Sequence, residues 1–391
     1  MSKEDLFSFI VYFLMLVVAG VVGFAIIGPG LSAAKGTVNG FNVYGFAVLG
    51  LLGAAIINVV GFEIAHVIGA KIGGYDVISV NVVGFYFYKK LIEVKDKDGN
   101  VHFEKKTKFK FPTNYDGLTG ETVIMPKSEK SNPMPYVFAP VLFFAIEVIL
   151  LIFAYIFITD PSKSSTTTQN PLLWMRFLQL FIVTIGGMVT LYDYFPTKLD
   201  STTDGYRITL LSKKVNVQAF NVYLTILGND VLNKKEVNYK VFDEITDFTT
   251  KVNLLIADTY LRKDEYNDAL EIINKITISE AKLSTGTLCL AKVHLLYIYL
   301  YYGMNDKAKE LYLSFLPKEK EYFKGEYDIY CFKTYILYSA LIDNSESEVK
   351  ITLKKKNKVF NRIAPSRLEY EEVGLDKVLE KIKKERPEIK I

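Results

Sequence analysis

Four long apolar runs constrain the fold of this 391-residue chain more than any other feature of its sequence. They cover residues 6–27, 43–68, 136–158 and 172–194. Each is close to or above the ~20 apolar residues that a helix needs to cross ~30 Å of hydrocarbon. The sequence therefore predicts a polytopic α-helical membrane protein with about four transmembrane helices. The first run is too long for a signal peptide and lacks a cleavage site, so we expect it to be a retained anchor.

The lysines between these runs predict the orientation of the helices. Segments 28–42 and 159–171 contain one lysine each, whereas segment 75–135 contains ten. Because positively charged loops stay in the cytoplasm, both termini and the loop at 75–135 should be cytoplasmic in a multi-pass cell-membrane protein. A composition rich in Lys, Ile, Asn and Tyr suggests a bacterial source. The net charge of +4 is explained by this topology, and no basic and aromatic stripe indicates nucleic-acid binding.

Two runs rich in β-branched and aromatic residues follow the second apolar run, at 75–88 and 101–111. A Lys-Asp-Gly-Asn turn sequence lies between them at 97–100, so the region from about 75 to 111 is predicted to be a β-hairpin. Two interpretations remain open at this stage. The hairpin is either a ribbon at the membrane surface beside a functional site or a solvated loop.

The sequence changes to amphipathic helices from about residue 241. Segments 254–273 and 294–312 share a helix–turn–helix pattern, and Ala269 and Ala308 occupy equivalent places 39 residues apart. This spacing is near the 34 residues of a tetratricopeptide repeat (TPR), so we predict a cytoplasmic TPR-like domain that could bind a cytoplasmic protein partner. The predicted segments are an anchor and external linker (1–43), a membrane core (44–210), a linker (211–240), the TPR-like domain (241–345) and a charged C-terminal segment (346–391).

Cys289 and Cys331 both fall in this cytoplasmic region. Neither has a His or Cys at metal-ligand spacing, so we expect two free core thiols. His102 is predicted to be a surface residue of the hairpin, and His294 a core or groove residue of the helical domain.

Glu63 and His66 are the only acidic, basic or imidazole side chains between Phe41 and Lys71. They lie three residues apart and would share one face of a helix, and an acid beside an imidazole at membrane depth predicts a functional site. Their spacing is that of the second half of H-E-x-x-H, in which two histidines hold zinc and the glutamate is the general base. Phe62 stands where the first histidine would be. The alternative is that Glu63 and His66 only pair with each other.

The fourth apolar run contains Asp193, and Asp204 follows shortly after it. Under the predicted topology, this end of the run and the end of the second run both reach the cytoplasmic side. Glu63, His66, Asp193 and Asp204 should therefore lie at similar depth.

The order of these features resembles the site-2 protease family of intramembrane zinc metalloproteases. The motifs that carry the resemblance are Phe62-Glu-Ile-Ala-His66 in place of H-E-x-x-H, Ala139-Pro140 with Phe143 in place of a G-P-x-x-N-like motif, and Asp193-Tyr-Phe-Pro196 with Asp204-Gly205 in place of N-x-x-P and D-G. The resemblance covers residues 44–210 and implies cleavage of a transmembrane or hydrophobic peptide near the cytoplasmic side. It implies these roles: Glu63 as base and acid; His66 and Asp204 as Zn²⁺ ligands; and Asp193, Pro140, Pro196, Gly205 and Phe143 as substrate-binding residues.

Phe62 is the most serious departure from this family. A catalytic zinc needs three protein ligands, and only His66 and Asp204 remain, so the chain is predicted to be inactive as it stands. Either it is a natural pseudoprotease that binds a hydrophobic peptide and a cytoplasmic partner, or Phe62 is an engineered change in a real protease. A transporter subunit is less well supported, because the sequence contains no detectable inverted repeat.

Overall fold

The computed structural model of the protein describes residues 10, 13, 17, 40–95, 101–111, 120–157, 172–194, 203–232, 238–324, 328–361, 363 and 365–389. The chain forms two compact units. Residues 1–88 and 107–212 make up the first, here called the apolar unit, and residues 89–106 and 213–391 make up the second, here called the helical unit.

Four helices of the apolar unit frame the predicted site. They are α1 (Gly40–Ile72), α2 (Met134–Phe157), α3 (Leu172–Tyr194) and α4 (Asp204–Leu211). Helix α1 packs against both α2 and α3, and α4 packs against α2 and α3. The long helix that carries Glu63 and His66 is therefore in contact with both neighbouring apolar helices.

Two of these helices are long and apolar enough to cross a membrane, at Val48–Ile72 and Met134–Ala154. A shorter apolar helix covers Leu178–Tyr194. Their large apolar side chains are largely exposed: Ile72 exposes 72% of its surface and Leu142 61%. Continuous exposed apolar surfaces of this kind are rare on soluble monomers. The predicted run at 6–27 lies almost entirely outside the described residues, so a total of four spans stays a prediction.

Small residues let the apolar helices approach closely. A methyl group at Gly69 of α1 would collide with the backbone carbonyl of Pro135 at the start of α2. Asn58, fully buried on α1, donates hydrogen bonds from its amide to the carbonyls of Ala54 (2.9 Å) and, on α3, Ile182 (3.1 Å). Close approach through small residues and polar side chains that bond across helices are typical of packing between membrane helices.

Gly69→Ala should therefore destabilise the apolar unit by about 1–3 kcal/mol, because the added methyl group meets backbone and cannot be accommodated by a rotamer change. Gly53→Ala is the matched control on the same helix, since its added methyl would meet only Leu178 at an ordinary 3.8 Å. Trp174 is the only tryptophan of the chain and lies in α3, so thermal unfolding followed by tryptophan fluorescence reports on this unit. Equal melting temperatures for the two variants would contradict the packing described.

Within the described residues, the sheet has four strands in the order β3-β2-β1-β4. The strands are β1 (Tyr75–Val82), β2 (Phe85–Lys95), β3 (Val101–Lys110) and β4 (Gly120–Pro126). Strand β1 pairs antiparallel with both β2 and β4. A tight turn joins β1 to β2 through Val83 (φ 53°) and Gly84 (φ 82°), the two positive φ values that a type I′ hairpin turn requires.

This sheet corrects the predicted two-stranded hairpin. The run at 75–88 is not one strand, because it turns back at Val83–Gly84 and pairs with itself. The run at 101–111 forms β3, beside β2, and β4 is an additional strand that the sequence pattern did not predict. The predicted turn at 97–100 lies outside the described residues.

The helical unit contains ten helices within the described residues. They are α5 (Lys214–Leu232), α6 (Asp247–Arg262), α7 (Tyr266–Thr277), α8 (Thr285–Tyr301), α9 (Asn305–Leu313), α10 (Pro317–Lys324), α11 (Ile329–Leu341), α12 (Glu346–Leu353), α13 (Lys356–Phe360) and α14 (Pro365–Glu385). The helix pairs α6/α7, α8/α9 and α11/α12 follow one another, and α8 contacts both α7 and α11. Each pair is thus in contact with the next.

A left-handed residue stands in the turn of each helix pair. These residues are Asp264, Gly303 and Asn344, spaced 39 and 41 residues apart. Five residues after each one comes a fully buried side chain, at Ala269, Ala308 and Val349. The internal repeat predicted from Ala269 and Ala308 therefore continues into a third helix pair.

The core of the helical unit extends beyond the predicted domain limits of 241–345. Helix α5 packs against α6, so much of the segment predicted as a linker is a core helix. Val349, Leu375, Val378 and Ile382 belong to the same buried cluster as Leu337. The charged C-terminal segment is therefore folded into the unit.

Buried ion pairs attach α14 to the rest of the helical unit. Lys333 of α11 lies 2.9 Å from Glu371 of α14, and these side chains are only 3% and 2% exposed. Arg367 of α14 lies 3.1 Å from Glu371 and 3.5 Å from Asp258 of α6. Burial alone would raise the pKa of Asp258, but the surrounding cations, Arg262 foremost, lower it below its usual value. Each buried charge therefore depends on its partners.

Glu371→Ala should lower the stability of the helical unit by about 3–5 kcal/mol, because it leaves Lys333 and Arg367 buried without this acid. The matched control is Glu346→Ala, which breaks an exposed i,i+4 pair with Lys350 and should cost at most about 0.5 kcal/mol. Both cysteines of the chain lie buried in this unit, so their reactivity with a thiol-specific dye during heating reports its unfolding. Equal decreases in unfolding temperature for the two variants would show that the buried pair is not needed for stability.

Candidate functional site

The structure brings Glu63, His66 and Asp204 together, although they come from two separate elements. Glu63 and His66 lie on α1, and Asp204 is the first residue of α4. All three are buried. His66 Nε2 lies 3.6 Å from Asp204 Oδ2, as expected from the predicted common depth of these residues.

A proline in α2 frees the backbone carbonyl that orients His66. His66 Nδ1 lies 3.2 Å from the carbonyl oxygen of Tyr136. In an uninterrupted helix this oxygen would accept from the N–H four residues later, but that residue is Pro140 and has no N–H. A proton on Nδ1 bonds to this oxygen and leaves the lone pair of Nε2 facing Asp204, the orientation that metal-binding histidines commonly use. The structure thus gives Pro140 a positioning function.

The Tyr194 hydroxyl stands between the next backbone carbonyl of α2 and the N–H four residues after it. Its hydroxyl donates to the carbonyl of Val137 and accepts from the N–H of Val141 at 3.3 Å. The same hydroxyl lies 3.5 Å from Asp204 Oδ2. The end of α3 is thereby fixed to both α2 and the carboxylate of Asp204.

Strand β4 lies directly against Glu63. Thr122 Oγ1 donates a hydrogen bond to Glu63 Oε2, and a methyl group at Gly120 would overlap the same carboxyl group. Tyr136 also donates from its hydroxyl to the carbonyl of Thr122 (3.2 Å). The sequence pattern does not indicate these residues, because β4 is short and its pairing with β1 is non-local.

Asp204 is held at the start of α4 by two neighbours. Asp193 Oδ1 accepts from the backbone N–H of Asp204 at 3.1 Å, and Thr203 caps the helix by accepting from Tyr206 N–H. Asp193, predicted to bind substrate, therefore contacts the backbone of a site residue. Burial raises the pKa of Asp204, while the neighbouring Arg207 acts to lower it.

Arg207 is the main site residue that the sequence motifs do not indicate. Its Nη1 lies 2.7 Å from Asp204 Oδ1, one turn further along α4, and its guanidinium carbon lies 5.9 Å from the centre of the Tyr136 ring. The i,i+3 spacing after Asp204 was the available signal, because it places both side chains on one helix face.

Phe62 is buried between α1 and α2. Its ring meets the ring of Phe143 edge-on at 6.2 Å, and Phe143 also packs closely against Gly61. Phe143, predicted to bind substrate, instead packs on Phe62. The position of the missing histidine is therefore filled by an aromatic pair.

The remaining predicted residues are placed as follows. Gly205 is buried in the first turn of α4, and its carbonyl accepts from Thr209 Oγ1 at 3.1 Å. Pro196 lies outside the described residues. His102 is exposed, 3.3 Å from Glu104, and His294 is buried with its ring stacked 3.6 Å from that of Tyr330.

The residues of this site do not fit a catalytic zinc ion. Within the described ranges, no group of three or more His, Cys, Asp or Glu side chains is arranged to hold a metal. His66 and Asp204 offer two donors where a catalytic zinc needs three protein ligands. One oxygen of Asp204 is already bonded to Arg207, so no catalytic step through zinc follows from this arrangement.

Comparison with protein-family models, with curated proteins and with solved structures found no match to this chain.

Glu121 gives the site a pH dependence that can be measured. Its Oε2 is buried without a hydrogen-bond partner in the part of the chain that the structure describes. Burial raises the pKa of Glu121 from 4.5 to about 7, with Arg207 opposing the shift. Since the folded state disfavours the charged form, stability should fall as the pH rises through this range.

Glu121→Gln should therefore raise the melting temperature of the apolar unit above pH 7, and the difference should vanish below pH 4.5, where the carboxyl group is protonated in both states. Tryptophan fluorescence during heating measures the melting temperature in both pH ranges. Glu129→Gln, an exposed control in the same unit, should leave the melting temperature unchanged. A Glu121→Gln variant less stable than the parent above pH 7 would contradict the unpartnered burial of this carboxyl group.

Proposed function

We propose that the apolar unit is a catalytically inactive, site-2-protease-like unit that binds a hydrophobic or membrane-inserted peptide without hydrolysing it. One observation carries this proposal. The predicted residues Glu63, His66 and Asp204 converge, but protein groups occupy the places that a metal centre needs. Phe62 packs on Phe143 in place of a ligand, and Arg207 binds Asp204.

Strand β4 supports peptide binding beside this site. Among the strands that the structure describes, it stands at one edge of the sheet. Edge strands offer unpaired backbone groups to an added strand, although the Thr122 carbonyl already accepts from Tyr136. An extended peptide joined to β4 would gain affinity from main-chain hydrogen bonds and specificity from alternate side chains. The contact between Thr122 and Glu63 would place that peptide next to the buried site.

The membrane location and topology proposed for this site are based on the apolar runs and on the distribution of lysines between them. The chain would cross a bacterial cell membrane about four times, with both termini in the cytoplasm. The exposed apolar side chains of α1 and α2 support the membrane location. The recurring turns at Asp264, Gly303 and Asn344 support a TPR-like helical unit that recruits a cytoplasmic protein.

A second candidate is an active zinc protease in which position 62 is His. The 3.6 Å between His66 Nε2 and Asp204 Oδ2 supports it, because two ligands ~2.0–2.2 Å from a tetrahedral zinc lie roughly 3.3–3.6 Å apart. These two side chains therefore have the spacing of half a zinc site.

One experiment separates the two candidates. The full chain, Phe62→His and Phe62→His/Glu63→Gln would be placed in lipid nanodiscs with a fluorescent, lysine-flanked leucine–alanine peptide that has a Gly-Ser interruption at its centre. Peptide binding would be read by anisotropy, cleavage by mass spectrometry, and zinc by elemental analysis. We expect all three to bind the peptide and only the two Phe62→His forms to take up zinc, because they restore the third ligand.

The parent chain should leave the peptide intact. Cleavage by Phe62→His that is lost in Phe62→His/Glu63→Gln would support the second candidate, and cleavage by the parent chain itself would overturn the inactive assignment. Failure of all three proteins to bind the peptide would remove the peptide-binding proposal, whatever their zinc content.

A further inference from the structure

The carboxylate of Asp204 is fully buried. An ionised carboxylate removed from water is very costly unless a positive charge and hydrogen bonds compensate for it. In a metal centre the ion would supply that charge, but the residues of this site do not fit one. The compensating charge must therefore come from the protein.

Arg207 meets this requirement. We propose that the Arg207 guanidinium takes the place of a metal ion as the positive charge of the site, and so holds Asp204 in position beside His66 in a fold that needs no metal. The inference rests on the proposed function, since it applies to a site without zinc. Within the described ranges, Asp204 has no Lys or Arg partner other than Arg207.

The geometry explains why arginine suits this place. The guanidinium is always charged and has several donors in a rigid plane, so it can bind a carboxylate while another face contacts an aromatic ring. Arg207 Nη1 is bonded to Asp204 Oδ1, and the guanidinium also lies near the Tyr136 ring. Because both charged residues are on α4, the helix itself fixes their separation.

Arg207 acts on the site through Asp204, as a positioning residue. With Oδ1 bonded to Arg207, Oδ2 of Asp204 is the oxygen that faces His66 Nε2 and the Tyr194 hydroxyl. The opposite side of the imidazole is bound to the carbonyl of Tyr136. Removing the guanidinium would leave a buried negative charge at the centre of these contacts.

A double-mutant cycle tests this inference in the full chain in detergent, with Trp174 fluorescence following the apolar unit. Arg207→Gln should lower its melting temperature by on the order of 10 °C, because it leaves Asp204 without its cation. Asp204→Asn added to Arg207→Gln should restore more than half of this loss, and Arg207→Lys should lose much less than Arg207→Gln. Lys130→Gln, an exposed control in the same unit, should have no effect.

A second measurement tests the effect of the Arg207 charge separately from the effect of its packing. In the Phe62→His background, Arg207→Gln should tighten Co²⁺ binding, read from the visible d–d absorption, by about tenfold or more, because the guanidinium repels a metal cation at this distance. This arm also remains informative if Arg207→Gln alone is too unstable to melt cleanly.

Additive effects in the cycle, or Co²⁺ binding that Arg207→Gln leaves unchanged or weakens, would overturn the inference. Neither result depends on peptide binding. The proposed function can therefore fail in the nanodisc experiment while this inference stands, and the reverse.

Discussion

The buried carboxylate of Asp204 is the interaction on which the rest of the site depends. The carboxylate contacts Tyr194 on α3 and faces His66 on α1, while the backbone N–H of Asp204 donates to Asp193, also on α3. The charge is tolerated because Arg207 lies one turn away on the same helix. A single compensated charge thus lies where α1, α3 and α4 meet.

The interruption of α2 provides the second half of this arrangement. Pro140 cannot donate a hydrogen bond, so the carbonyl of Tyr136 is free to bind His66, and the Tyr194 hydroxyl bridges Val137 and Val141. A defect in one helix is in this way satisfied by side chains of two others. Membrane helices tolerate proline because neighbouring groups compensate for the broken backbone bonds.

Much of the helical framework and the convergence of the site could be predicted from sequence. Length and hydropathy suffice to find α1, α2 and α3, and an acid and an imidazole stand out in an apolar run because burial makes them costly. The topology predicted from loop charge expects Glu63, His66 and Asp204 at one depth, and the structure brings them together. Hydropathy and loop charge are sufficient for this expectation, and no knowledge of tertiary contacts is needed.

The sequence did not reveal the features set by tertiary pairing. Val83 adopts a left-handed conformation that β-branched residues rarely take, so the turn that divides the run at 75–88 carries little local signal. The pairing of β4 with β1 is non-local, and the direction of the Arg207 side chain depends on where α2 lies. In the C-terminal segment, frequent charges obscured the helical spacing of Leu375, Val378 and Ile382, which are buried.

The most direct test is the zinc content of the unsubstituted protein, purified without chelator and analysed by inductively coupled plasma mass spectrometry. Because Phe62 removes one ligand and Arg207 binds another, we expect far less than one zinc per chain. Chelator should then leave the thermal unfolding of the apolar unit unchanged. One tightly held zinc per chain, with unfolding at lower temperature after its removal, would contradict a site completed by protein charges alone.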